Sequence, residues 1–267
     1  MRTFQAFVAS GLLVAVGALA GCSGAHAARW VFAARSSVEL QAKDGSCTVR
    51  QGAQGEVRVD VSWTYPSEAG YVPDSVETAD GLIFTEALEK ALPGRAAWTI
   101  SVPPGMRVRV STGSGDVRAS QALISLTARS ESGALRLDRI EGGLVLSTDS
   151  GAIDVTGFTA TDESAFGSNS GAVGVSLARP PAAELFLFTD SGSLSLDYGP
   201  NPLTGSFHLE SRADAGSITS TVPLDSVKTE DRNGERFTVG ALRRGSGEPT
   251  VRLLTRSGRV SLSTARP

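Results

Sequence analysis

The stretch "LVLSTDSGAIDV", residues 144–155, sets two runs of alternating apolar and polar residues on either side of a four-residue polar turn. Its core, "TDSG", returns at 189–192, with relatives "SESG" at 130–133, "SNSG" at 168–171 and "TRSG" at 255–258. Aligned on the turn glycine, the chain reads Gly115, Gly133, Gly151, Gly171, Gly192, Gly216 and Gly258, at spacings of 18, 18, 20, 21, 24 and 42. The last spacing is twice 21, so one period near 20 runs through the second half of the chain. A fixed period of that length marks a repeat architecture.

The registers agree beyond the turn. Seven residues before the glycine stand Val108, Leu126, Leu144, Ser164, Leu185, Leu209 and Val251, and two after it Val117, Leu135, Ile153, Val173, Leu194, Ile218 and Val260. Three before it the residue is small: Thr112, Ser130, Thr148, Ser168, Thr189, Ala213, Thr255. Period-2 alternation is the pattern of a half-buried strand, so each repeat is a strand, a tight turn and a second strand. Inward side chains shrink toward the turn, and glycine is expected there for a positive φ. A two-residue turn with Gly first also suits a β-hairpin. Matching residue types at equal register across repeats favour a solenoid, in which one coil stacks on the next and no coil buries its apolar face alone. The expected fold is all-β: a single-chain β-solenoid (β-helix) of about 18–21 residues per coil.

Between Gly216 and Gly258, "SVKTEDRNGERFTVG" (226–240) reads as one degenerate coil, with Phe237 and Val239 displaced by one place. Residues 35–105 alternate at Val38 and Leu40 and at Val57, Val59 and Val61 without the regular period, and are expected to form an N-terminal cap and opening coils. Within them Thr85–Leu92 could make one or two helical turns, stopped by Pro93-Gly94. Repeat coils of the same domain then occupy 106–264.

The N-terminus carries Arg2, an apolar run from about Phe7 to Leu19, and small residues leading to Cys22. This is the layout of a secretory signal peptide, and the run is too short to span a membrane as a helix. "LAGC" at 19–22 resembles a lipoprotein lipobox, which predicts a signal peptide at 1–21, lipidation of Cys22 and a tether at 22–34. An ordinary signal peptide cut near Ala25-His26-Ala27 is the alternative. Acylation would hold the chain on a membrane of the cell envelope, the outer one if two are present, because Ser23 suits that sorting. Removing residues 1–21 leaves 246 residues and takes the formal net charge from −3 to −4. Mild acidity carries no electrostatic footprint for nucleic acid. With Cys22 acylated, Cys47 has no intrachain disulfide partner and reads as a buried thiol.

"WTISVPPGMRVRVSTGSGDVRAS" (98–120) resembles the bacterial putative adhesin family, long catalogued as a domain of unknown function. Its "V-x-V-P-x-G" entry corresponds to Ile100–Gly105 and its "t-x-SGD-V" turn to Thr112–Val117, and the resemblance covers roughly residues 35–264. It implies a β-helical fold exposed on the cell envelope and carries no catalytic residues to transfer.

The chemistry-bearing residues are few. The only histidines are His26 and His208, "GSNSG" at 167–171 has Asn169 where a nucleophile elbow needs serine, and no phosphate loop is present. Two places before the turn glycines stand Glu131, Asp149, Asn169, Asp190 and Asp214. Stacked at strand spacing, the four carboxylates Glu131, Asp149, Asp190 and Asp214 could form a Ca²⁺ ladder. They could equally be turn formers whose side chains cap backbone N–H groups. Asp149, Asp154 and Arg136 are the candidates for a polysaccharide-active enzyme on a β-helix. The coils after residue 106 contain no Trp and only Tyr198 to stack a sugar. The reading is a lipid-anchored, non-catalytic binding, scaffolding or adhesin-like protein with a protein or glycan ligand. The alternatives are such an enzyme or an envelope signalling accessory.

Overall fold

The computed structural model describes residues 26–265. Cys22 and the signal segment lie outside the described residues. The first strands are β1 (His26–Ala33), β2 (Ser37–Gln41), β3 (Ser46–Gln51) and β4 (Glu56–Trp63). After a single 3-10 turn at Ser67–Ala69 come β5 (Val72–Glu77), β6 (Gly81–Ala87) and β7 (Ala96–Val102). The repeats supply β8 (Met106–Thr112), β9 (Val117–Ser130), β10 (Leu135–Gly142), β11 (Leu144–Thr148), β12 (Ile153–Ala160), β13 (Ser164–Ser168), β14 (Val173–Leu177), β15 (Leu185–Thr189), β16 (Leu194–Asp197), β17 (Gly205–Arg212) and β18 (Ser217–Ser220). The chain closes with β19 (Ser226–Arg232), β20 (Glu235–Arg244), β21 (Thr250–Thr255) and β22 (Arg259–Ser263).

The strands stack into two ladders that share one core. Sheet A runs β1-β4-β7-β3-β9-β10-β12-β14-β16-β22-β18. Sheet B runs β5-β6-β2-β8-β9-β11-β13-β15-β21-β17-β20-β19. β9 belongs to both, its first half in sheet A and its second in sheet B. Inside the body, neighbouring coils pair in parallel at equal register, as Leu126, Leu144, Ser164, Leu185 and Val251 show across sheet B. Their side chains, with Leu135, Ile153, Val173, Leu194 and Val260 from sheet A, are buried between the sheets. Parallel pairing at one coil's spacing is the solenoid; hairpins at the SG turns would have made these pairs antiparallel.

Antiparallel strands close both ends. β5 pairs with β6, and β4 with β7 and then β1, at one end; β20 and β19 follow β17 at the other. Residues 26–33, read as part of the tether, therefore form β1: Ala28, Trp30 and Phe32 alternate inward and pack against the core. Segment 85–92 contains no helix among its residues, because Thr85–Ala87 completes β6 and Phe84 and Glu86 point inward with strand parity. Residues 226–240 form an antiparallel hairpin and not a coil. Asn233 and Gly234 both take positive φ, 53° and 83°, the twist that joins adjacent antiparallel strands.

Coil order departs from chain order twice. The coil of β21 and β22 sits between that of β15 and β16 and that of β17 and β18. At the other end the coil of β2 and β3 sits between β6–β7 and β8–β9. That inserted coil is a regular repeat: Val38, Leu40, Gly45, Cys47 and Val49 take the places of Val108, Val110, Gly115, Val117 and Ala119.

The SG corner has a chemical logic beyond small size. At Gly115, Gly133, Gly151, Gly171 and Gly192, the N–H donates to the hydroxyl three residues earlier, on Thr112, Ser130, Thr148, Ser168 and Thr189, at 2.8–3.1 Å. Each hydroxyl in turn donates to the carbonyl of the corner glycine in the neighbouring coil, as Thr189 does to Gly171 at 3.1 Å and Thr255 to Gly192 at 3.2 Å. In the Gly216 coil Ser211, not Ala213, holds this place, paired with Thr255 and donating to Gly258 at 3.2 Å. Two extra turn residues shift that strand's register.

The glycines answer to stacking and not to φ. Of the seven corner glycines only Gly258 has a positive φ, 149°. A β-carbon on Gly133, Gly151, Gly171 or Gly192 would instead collide with the carbonyl of the previous corner glycine. Positive φ occurs at the opposite bend, six residues on, at Gln121 (50°), Arg139 (52°) and Gly157 (63°).

Candidate functional site

The acidic row follows the corner column. Asp149 N–H donates to Glu131 O at 3.2 Å, and Ser191 N–H to Asn169 O at 3.0 Å, so the backbone of the row is laced coil to coil. Asn169 Nδ2 lies 3.4 Å from Asp149 Oδ1. The inserted coil then places Arg256 beside Asp190 at 3.4 Å, and Asp214, one coil further, pairs with Arg212 at 2.7 Å. The row thus runs Glu131, Asp149, Asn169, Asp190, Arg256, with Asp214 cut off behind an arginine. Among the described residues no group of three or more His, Cys, Asp or Glu is spaced to hold a metal ion.

Two of the three residues weighed for catalysis sit on sheet A. Arg136 and Asp154 face each other in register on β10 and β12. Arg136 turns to Asp116 at 2.8 Å, which Arg118 also contacts at 2.8 Å. Burial pushes the Asp116 carboxyl up, but the Ala134 N–H and the Arg136 and Arg118 guanidinium groups outweigh it and hold the group below its ordinary value. Asp149 lies apart at the corner. His208 is partly exposed on β17, its Nε2 3.2 Å from Glu210, whose carboxylate also accepts from Arg232 at 2.8 Å. Tyr198 is fully buried against Phe207, ring centroids 5.7 Å apart, its hydroxyl without a partner among the described residues. Cys47 is buried, and burial followed by the Glu86 carboxylate pushes its thiol up.

Sequence reading missed the outer face of sheet B. Successive coils bring Thr127, Val145, Ala165, Phe186 and Arg252 into one outward row, and Arg129, Ser147, Gly167, Phe188 and Leu254 into the next. Val145 is 49% exposed and Phe186 39% exposed. Phe186 and Phe188 stand two apart on one strand with near-parallel rings, 6.5 Å between centroids and 13° between planes. β13 contributes only Ala165 and Gly167 between them and Val145, so the surface dips into an open trough. Val145, Ala165 and Phe186 line it together with Glu163, Glu184 and Arg252. At the β8–β9 side Arg107, Arg109 and Arg129 are exposed, and none has a carboxylate within ion-pair distance among the described residues. The signal was present in "LFLFT" (185–189), where two phenylalanines occupy the polar parity of a strand.

The arrangement is a two-sided β-solenoid with hydroxyl-laced corners. The chain belongs to the Toastrack DUF4097 family, whose model matches residues 105–263. Solved structures similar to it include a "putative adhesin" from Bacteroides fragilis NCTC 9343, at 10% identity, 90% of this chain, 97% of that one and a TM-score of 0.44. A "putative cell adhesion protein" from Clostridium sporogenes ATCC 15579 shows 9% identity, 90% and 100% coverage and a TM-score of 0.35. A "putative lipid binding protein" from Parabacteroides distasonis ATCC 8503 shows 9% identity, 92% and 98% coverage and a TM-score of 0.32. No curated protein matches the chain.

Proposed function

We propose that this chain is a lipid-anchored cell-envelope protein that works by binding, in an adhesin-like role, through the outer face of sheet B. The observation that carries the reading is the trough itself. The exposed Phe186, the half-buried Phe188 stacked beside it and aliphatic neighbours stand on a ladder whose coils are fastened at the corners, so the surface is held in shape before a ligand arrives. Ordered residues lose little conformational freedom on association. Attachment at Cys22 rests on the lipobox at Leu19–Cys22 and on its position a few residues before β1.

The ligand is a protein segment or a glycan that presents an apolar face. Covering the exposed part of Phe186, roughly 80 Å² of a side chain near 200 Å², contributes about 2 kcal/mol, or about 30-fold in affinity. The test is binding of the labelled chain to peptide and glycan arrays, comparing wild type with the double variant F186S/F188S. Loss of at least tenfold, with an unchanged thermal melt, supports the reading. Equal binding by the variant overturns the site, and cleavage of a bound polysaccharide overturns the non-catalytic role.

A further inference from the structure

The end of the stack where the chain enters is chemically unlike the rest. Five of the six Trp and Tyr residues lie there: Trp30, Trp63, Tyr65, Tyr71 and Trp98. Trp30 stacks on Trp98 at 6.1 Å and closes the core. The others form a rim around the first described residue. His26 stacks on Trp63 at 5.6 Å, Trp63 meets Tyr71 at 5.3 Å, and Tyr71 stacks on Tyr65 at 4.8 Å. His26 is exposed, Trp63 and Tyr71 are half-buried, and the adjoining Val72, on the edge strand β5, is 43% exposed. The segments beside them carry Glu68, Glu89, Lys90 and Arg95, two acids and two bases, and Tyr71 donates to the buried Glu86 at 3.0 Å, so the patch has no basic excess.

Only Ser23, Gly24 and Ala25 separate His26 from Cys22. Even fully extended, that chain spans no more than about 14 Å. A lipidated Cys22 therefore keeps His26, and the rim stacked on it, within about 14 Å of the lipid headgroups. We infer that the rim formed by His26, Trp63, Tyr71 and Val72 rests in the interface of the bilayer that carries the anchor, an inference that depends on the lipid attachment proposed above. Trp and Tyr, apolar in body with one polar atom, suit that layer. A patch of aromatics without basic excess fits a zwitterionic headgroup surface and has no use for lipid charge. The stack then projects from the membrane with β19 and β20 outermost. Sheet B, twelve strands at about 4.8 Å, puts that hairpin roughly 50 Å from the rim. The Phe186 trough lies on the side of the column, clear of the lipid.

The test uses the full chain expressed with its signal, purified from membranes and reconstituted into phosphatidylcholine vesicles with bromine on the upper acyl carbons. Mass spectrometry first reads the adduct on Cys22. In the acylated wild type, brominated lipid quenches roughly a third of the tryptophan emission, the share of Trp63. W63F removes that quenching while keeping its melt, and V72D reduces it while the protein still floats with the vesicles. Salt leaves the quenching unchanged. An acylated chain that floats but shows no quenching, or quenching equal in wild type and W63F, overturns the contact and leaves the anchor standing. A chain without the adduct that fails to float overturns both.

Discussion

Gly171→Ala isolates the demand that the corner makes on its glycine. Gly171 does not take a positive φ, so alanine meets no backbone strain there. The obstacle is the next coil: the new β-carbon would stand 2.6 Å from the carbonyl carbon of Gly151 and closer still to its oxygen. Ordinary van der Waals contact begins near 3.4 Å, so the two corners must part by about 1 Å or more. The inter-coil hydrogen bonds across that gap include three that hold the corner backbone: Asn169 N–H to Thr148 O at 3.2 Å, Ser170 N–H to Asp149 O at 3.1 Å and Ser168 Oγ–H to Gly151 O at 3.3 Å. Opening by 1 Å breaks all three, and at about 1 kcal/mol each the expected loss is about 3 kcal/mol. For a chain of this size that lowers the melting temperature by roughly 6–12 °C. Gly55→Ala is the control, since Gly55 has φ of 80° and nothing within 4 Å of a new β-carbon. It should cost only about 1 kcal/mol of backbone strain. Urea unfolding of both variants decides the matter. If Gly55→Ala costs more than Gly171→Ala, the glycine column is about φ and the stacking argument fails.

Two further perturbations probe the same scaffold. Thr189→Val keeps the shape but deletes the donor to Gly171 O and the acceptor for Gly192 N–H. Two buried backbone groups lose partners, so urea unfolding should show a loss of about 2–4 kcal/mol, with Thr189→Ser restoring most of it. Asp116, held below its ordinary value of 3.8, contributes stability that is fully present above that pH and is lost as pH falls through the lower folded value. Melts of wild type between pH 5 and 2 should therefore steepen below pH 4, and Asp116→Asn should flatten that part of the curve; identical slopes in the two proteins would remove Asp116 from the acid response.

Much of the coil was readable in residues. Inward positions such as Leu126, Leu144 and Leu185 alternate because a strand has a period of two, and that local constraint survives in any sequence with one buried face. The hydroxyl column was visible only as smallness. Thr148 and Ser168 look like space-savers until the carbonyl of the adjacent corner is placed beside them. The bend at Gln121 and Arg139 left no trace, since neither residue type advertises a positive φ. The Phe186–Phe188 trough was overlooked because an outward phenylalanine signals exposure only when its neighbours on other coils are known.

By itself the sequence determined the period, the inward faces and the corners from Gly115 to Gly192, because turn, parity and repeat length act within one coil, while the corner at Gly45 emerged only from its pairing with β8 and β9. Only the tertiary structure decided which coil lies on which. Val251, Leu185 and Phe207 present equivalent apolar side chains at one register, so nothing local distinguishes a partner one coil away from a partner two coils away. Chain order is overruled at both ends, by β2–β3 and by β21–β22, where antiparallel strands cover the open core. That choice separates Asp214 from Asp190 and sets Arg252 beside Phe186, so the surface chemistry follows from a stacking order that periodicity cannot encode.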